Sequence, residues 1–350
     1  MTQLPIFKML TFGVLPSFLK IWYYRFRGAR IENNVKIGFF SIIDSKEIII
    51  KEGARIGFLS YIKSEKLFLG KYSEINSLVY IDTRIVEIGM ETIIMEQTVI
   101  GGMQTHLSKF QIGERCKVFP NCFLNTTFPI IIGDEVGIGG ANYLFTHGSW
   151  QSSLDGFPIQ FGPITIEDKV WLPWRVFIMP NVRLGRECTI GAGAIITKDI
   201  PSRSLAVGIP AKVIKNDHEY IKRLNQSDRV NIIKNIINDF IEYYKTLNWN
   251  FAVEVENELY MQISFVENNK NTNNNMLIVF ENNISEDTIN ASDYLISMTE
   301  IHDDVKNKIL KRNGSCYDLH THKWYGKRLY VNLEIKNFLG RYGIRFKHAD

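Results

Sequence analysis

The sequence predicts a mainly-β chain: a parallel β-helix of about eight coils, preceded by a helical segment and followed by a helical plus small α+β appendage. Three observations carry that reading. A six-residue beat of aliphatic side chains runs through residues 29–215, helical spacing replaces it near Asp217, and apolar–polar alternation begins at Trp249.

Residues 1–28, MTQLPIFKMLTFGVLPSFLKIWYYRFRG, are apolar and aromatic but broken by Lys8, Pro16 and Lys20. The unbroken run falls short of the roughly 20 residues that a bilayer-spanning helix needs. An amphipathic helix capping the next domain is expected. The alternative is a peripheral membrane contact, with Trp22 and Tyr23 at headgroup level and Arg25 and Arg27, from a basic cluster with Lys20 and Arg30, facing anionic lipid.

The hexads begin at residue 29. Their first and third residues are apolar, as in Val35 and Ile37, Ala54 and Ile56, Leu67 and Leu69, or Val79 and Ile81. They group in threes: Ala29, Ile48, Leu67 and Val86 open coils nineteen residues apart, and Phe110, Ile130, Ile164 and Val182 open later ones. Three short strands per coil make a triangular prism in which each coil covers the apolar edge of the last. A sheet of βαβ units fails, because no helix-length segment separates the hexads. Glycine recurs after the apolar residue, at Gly38, Gly57, Gly113, Gly133 and Gly185, and is read as backbone freedom for tight corners.

The beat pauses twice. GGMQTHLSKF holds His106, and the longer LFTHGSWQSSLDGFPIQFGPI opens on His147. Neutral imidazole, with an ordinary pKa of about 6.5, suits proton abstraction from a poor nucleophile such as a hydroxyl. His147 is the candidate base and His106 its rival. A prism face is too smooth to enclose a small molecule, so the long excursion is expected to wall a pocket.

With these repeats in view, the chain resembles the hexapeptide-repeat acyltransferases of the maltose, galactoside and nodulation O-acetyltransferase type. The likeness covers residues 29–215 and is densest from Ile164 to Lys215, which includes GAGAIITKDIP and VGIPAKVIK. It implies a left-handed coil, a homotrimer, acetyl-CoA as acyl donor, and transfer to a saccharide hydroxyl, a surface-polysaccharide precursor being one acceptor class. The alternatives are an N-acetyltransferase on an amino sugar and a catalytically silent trimeric scaffold or glycan-binding module. The resemblance implies His147 as general base. Trp150, Phe157 and Phe161 are then candidates to stack on a sugar face, Gln151 and Asp155 to bond its hydroxyls, and Asn142 to orient the acceptor or the oxyanion. Ala192 would contact the pantetheine arm, Thr197 and Lys198 the nucleotide end, and Lys212 and Lys215 the phosphates. One departure is VWLPW: Pro173 stands where the family has glycine and Trp174 where it has a small residue, so Trp174 is expected to stack on the donor or to fill part of its groove.

Forty-one basic against 37 acidic residues are too balanced to imply a nucleic-acid partner. Four cysteines form neither a CxxC pair nor a disulfide framework, which points to a reducing cytoplasmic setting and implies no metal site. Cys188 falls within a hexad and is expected to pack rather than carry an acyl group.

Residues 216–248 place Ile221, Leu224, Val230, Ile233, Ile237, Phe240 and Tyr244 at helical spacing, with Ser227 and Asp228 as a cap between two helices. By the resemblance this segment packs back on the prism. Residues 249–350 form the small α+β region. FAVEVENELYMQISFV and MLIVF read as two strands about the turn NNKNTNNN, followed by a helix from Ile289 to Leu310 and strands from Arg328 to Glu334. LHTHKW would set His320 and His322 on one side of a strand, without the cysteine or acidic spacing of a metal site.

Overall fold

The computed structural model describes residues 5–267, 273–281, 288–289 and 291–349, and divides into two compact units, Met1–Lys222 and Arg223–Asp350. In the first, the residues expected to open successive coils fall into parallel register: Leu67 beside Val86, Val86 beside Phe110, Phe110 beside Ile130, Ile130 beside Ile164. Both pauses in the beat therefore leave the register intact. The long strands Ile42–Ile50 and Tyr61–Leu69 run through a corner unbroken, which joins two faces into one 14-stranded sheet beside a 10-stranded third face. Inward positions form aliphatic columns such as Ile56, Ile75, Ile94, Val118 and Ile138, all buried. Each such side chain contributes about 1.5–3 kcal/mol.

The glycines serve a purpose other than the one expected. Gly38, Gly57 and Gly113 do not adopt positive φ, but a Cβ on Gly38 would lie 2.4 Å from the Gly57 oxygen, and one on Gly57 2.5 Å from the Asn76 carbonyl carbon. Glycine here permits close approach between coils. The left-handed residue comes two positions later: Phe40, Leu59, Glu91, Arg115, Glu135 and Glu187 have φ between 54° and 59°. Each costs about 1–2 kcal/mol and is sustained by the packed stack.

Small polar side chains line the inner corners and pair backbone groups of adjacent coils. The Ser60 hydroxyl donates to the Asn76 carbonyl at 2.7 Å and accepts from the Val79 N–H at 3.1 Å. Thr92 donates to the Gly113 carbonyl at 2.7 Å and accepts from the Cys116 N–H at 3.0 Å. Cysteines occupy equivalent places. Burial pushes the Cys116 and Cys188 thiols up to about 12 and Cys122 to about 11, so none is a thiolate near neutral pH.

Helices α1 (Ile6–Thr11) and α2 (Ser17–Phe26) cover the start of the prism, as the capping expectation has it. The Lys20 ammonium is fully buried and donates to the Gly38 carbonyl at 2.7 Å and the Ser41 carbonyl at 3.3 Å, and burial holds its pKa down to about 8. The Tyr24 hydroxyl accepts from the Ile43 N–H at 2.9 Å. Arg25 donates to the Ile31 and Glu32 carbonyls. Lys20 and Arg25 therefore leave the basic cluster expected to face lipid, because both satisfy open backbone acceptors of the first coil. No helix among the described residues is long and apolar enough to cross a membrane. At the other end the strand Lys212–Asn216 pairs antiparallel with Ser204–Val207 and ends the parallel stack.

Helix α3 (Asp217–Tyr220) closes the first unit, and α4 (Gln226–Lys245) belongs to the second. The cap between them is Asn225, whose side chain accepts from the Asp228 N–H at 2.7 Å, rather than Ser227. Helix α4 sets Ile233, Ile237, Phe240 and Tyr244 into a core with Met261, Phe265 and Phe338. A seven-stranded sheet follows. FAVEVENELYMQISFV is two antiparallel strands, Asn250–Glu256 and Tyr260–Val266, because Asn257 Oδ1 accepts from the Leu259 and Tyr260 N–H groups and closes a turn. The asparagine-rich turn lies partly outside the described residues, and Asn273–Val279 is already the next strand. Within the expected helix from Ile289 to Leu310, only α5 (Asp303–Leu310) is a described helix of full length, and the buried strand Tyr294–Ser297 precedes it. The strands expected from Arg328 to Glu334 are α6 (Tyr330–Arg341), which buries Val331, Ile335, Phe338 and Leu339 at helical spacing. His320 and His322 lie in a turn, where Asp318 Oδ1 accepts from the His320 and Thr321 N–H groups at 2.9 Å each. Among the described residues no cluster of three His, Cys, Asp or Glu is placed to hold a metal.

Candidate active site

Strand Tyr143–Phe145 runs along the sixth coil, and His147 follows it at the root of the long excursion. The excursion is a hairpin: His147–Gly148 pairs antiparallel with Gln160–Phe161. Its base places the Phe161 ring over the imidazole, with centroids 6.2 Å apart and planes at 15°, and Phe128 packs on Phe161 at 5.7 Å. Phe161 thus holds the candidate base.

On the prism side, His147 Nδ1 lies 3.2 Å from Asn125 Oδ1 and 3.4 Å from Thr127 Oγ1. Asn125 and Thr127 are buried, and Asn125 Oδ1 also accepts from the Thr127 N–H at 3.1 Å and hydroxyl at 2.7 Å. An amide oxygen only accepts, so Nδ1 carries the hydrogen and Nε2 keeps its lone pair. That is the tautomer a base needs. Sequence reasoning missed Asn125 and Thr127. The available signal was register: Asn125 sits beside Phe145 on the neighbouring coil, two residues short of His147.

Asn142 is corrected. It is fully buried inside the prism, where its Nδ2 donates to the Gly139 carbonyl at 2.7 Å and the Pro173 carbonyl at 2.8 Å and its Oδ1 accepts from the Val176 N–H. No atom of its amide is left for an acceptor. His106 is exposed in the shorter break, where only its backbone carbonyl is held, by Arg84.

Trp150, Gln151 and Asp155 stand on the exposed part of the hairpin, with Trp150 95% exposed, and Phe157 is half exposed. They form no wall around His147 within one chain. Thr197 and Lys198 follow strand Ile195–Ile196, which aligns through Phe177 with Tyr143, so they leave the prism from the His147 corner two coils further on. Ala192 lies at another corner, level with Trp174 and Gly140 on preceding coils, and the Gly193 N–H donates to the Trp174 carbonyl at 3.0 Å. The Trp174 ring covers Gly140, where a Cβ would come within 2.2 Å of it, whereas Gly193 has open space around it. Lys198, Lys212 and Lys215 are exposed and make no ion pair among the described residues.

No family model matches the chain. An acetyltransferase of unproven activity from Schizosaccharomyces pombe is 53% identical over 99 residues, covering 27% of this chain and 47% of its own length. The galactoside O-acetyltransferase of Escherichia coli is 36% identical over 123 residues, 33% of this chain and 60% of that enzyme. A solved galactoside acetyltransferase in complex with coenzyme A is 26% identical and covers 41% of this chain and 64% of its own, with a TM-score of 0.26. The chain spans about half the length of the curated relatives it matches. In its coils in register and in these relatives, the chain is similar to the hexapeptide-repeat acetyltransferases.

Proposed function

We propose that this chain transfers the acetyl group of acetyl-CoA to a saccharide hydroxyl, with His147 as general base. The observation that carries the reading is the Asn125 oxygen opposite His147 Nδ1 at 3.2 Å, which leaves Nε2 to take the acceptor proton as the hydroxyl oxygen attacks. Bound acetyl-CoA would supply the acyl carbonyl under attack, the C–S bond breaking as the O–acyl bond forms, and CoA would leave as the thiol with the proton that His147 took. The residues present suit such a ligand: three unpaired ammonium groups, Lys198, Lys212 and Lys215, meet phosphates, Thr197 adjoins them, and the corner at Ala192 and Gly193 is open. At about 4.8 Å per coil, Thr197 lies about 10 Å along the stack from the His147 level.

Transfer is direct, because the buried cysteines offer no nucleophile. The galactoside acceptor of the Escherichia coli relative supports a saccharide here. In a trimer with shared sites, Trp150, Gln151, Asp155 and Phe157 on the exposed hairpin complete the acceptor wall against a neighbouring copy. Trp174 over Gly140 favours a second reading, a silent scaffold whose donor groove is partly filled.

Thiol release from acetyl-CoA with galactosides, maltose and glucosamine tests both. His147→Ala should lose about 10²–10⁴-fold in turnover. Equal turnover removes His147 as the base. Product mass spectrometry separates oxygen from nitrogen acetylation, light scattering reads the trimer, and absent turnover with no calorimetric CoA binding leaves the scaffold.

A further inference from the structure

The first 31 residues carry the chain's whole positive excess. Five of the 41 basic residues and none of the 37 acidic ones precede Glu32, which leaves 36 against 37 for the rest. Surface helices ordinarily turn apolar side chains inward. Helix α2 is apolar on its outward face as well: it turns the buried Lys20 and Tyr24, with Ile21 and Tyr23, toward the prism core, while Phe18, Trp22 and Phe26, four residues apart, are 69%, 67% and 81% exposed. The Trp22 and Phe26 rings stack at 6.0 Å. Helix α1 adds Phe7, 82% exposed, and Leu10.

On the inward face, Lys20 supplies donors to carbonyls at the open end of the first coil. The aromatic residues on the opposite face are not needed for that closure. An exposed apolar patch of this extent marks an interaction surface.

Its charge selects the occupant. A two-fold contact between copies would bring Arg27 and Arg30 of both near one another, and the segment has no carboxylate to offset them. A bilayer bearing anionic headgroups supplies both the apolar layer and the opposite charge. Helices of six and ten residues cannot cross it. We propose that α1 and α2 dock the chain on an anionic lipid surface, with Phe18, Trp22 and Phe26 at the headgroup–acyl boundary and Arg27 and Arg30 against lipid phosphates.

Co-sedimentation of the full chain with vesicles of phosphatidylcholine and phosphatidylglycerol, beside phosphatidylcholine alone, tests this without reference to catalysis. The chain should bind the mixed vesicles more tightly. The double variant Trp22→Asp, Phe26→Asp should bind at least about tenfold more weakly, and Arg27→Gln or Arg30→Gln about fivefold each. These outward positions leave circular dichroism and melting unchanged, so a loss of binding is not a loss of fold. Brominated acyl chains should quench tryptophan fluorescence more in the wild type than in Trp22→Phe. Absent sedimentation with both vesicles overturns the proposal. So does equal binding to neutral vesicles, or light scattering that shows the double variant dissociating an oligomer, which would make a second copy the occupant.

Discussion

Substituting Asn142 by alanine removes an amide that ties together three backbone groups of adjacent coils. The Gly139 carbonyl keeps a second donor, the Cys122 thiol at 3.1 Å, but no other partner is seen for the Pro173 carbonyl or the Val176 N–H. Two buried groups are then orphaned at about 1–3 kcal/mol each, so the variant should lose about 2–6 kcal/mol. For a unit of this size each kcal/mol lowers the melting temperature by roughly 2–4 °C, a fall of roughly 5–20 °C. Asn142→Asp fares no better, because it keeps an acceptor for Val176 but sets a carboxylate against two carbonyl oxygens. Calorimetric melting of the full chain checks the loss, together with kcat/KM per folded molecule measured well below the transition. That ratio should change by less than about tenfold. Unchanged melting with a hundredfold drop in kcat/KM would refute the reasoning and return Asn142 to the acceptor.

Asn125→Asp places a carboxylate beside His147 Nδ1 and favours imidazolium, so the acid limb of kcat/KM should move to higher pH while the KM for acetyl-CoA holds. Lys20 has a folded pKa of about 8 against 10.5 when unfolded, so between those values the unfolded chain binds more protons and stability rises with pH. Urea midpoints at pH 7.5 and 9.5 should show an increment of about 1–3 kcal/mol in wild type that Lys20→Met lacks. Gly57→Ala drives a methyl group into the backbone of the next coil and should cost about 1–3 kcal/mol, read as a lower urea midpoint with unchanged m.

The prism was legible because nothing competes with its signal: a six-residue aliphatic beat without helix-length gaps permits one architecture. Even Asn142 was readable inside that frame. Leu144 points inward, and a period of two along the strand turns Asn142 inward as well. Asn125 was hidden for another reason. Its partner is 22 residues away in sequence, and only the coil register, a 20-residue step that sets Phe110 beside Ile130 and Asn125 beside Phe145, brings them together. In the second unit, the apolar residues of VNLEIKNFL satisfy both alternation through Val331, Leu333 and Ile335 and helical spacing through Val331, Ile335 and Phe338. Tertiary packing against α4 chose the helix. YLIS is buried on both faces and has no alternation to announce a strand.

The stacked coils also fix a height. Helix α2 seals the first coil and His147 leaves the sixth, so about five strand spacings, roughly 24 Å, separate the sealed end from the imidazole. On a lipid surface the prism is then a spacer graduated in coils, and the reach of His147 is set by counting repeats. Deleting residues 48–66, one whole nineteen-residue repeat, would lower the imidazole by a single graduation without shifting any strand's inward face. An acceptor tethered to the same surface would sense that change as lost turnover, while a freely diffusing sugar would not.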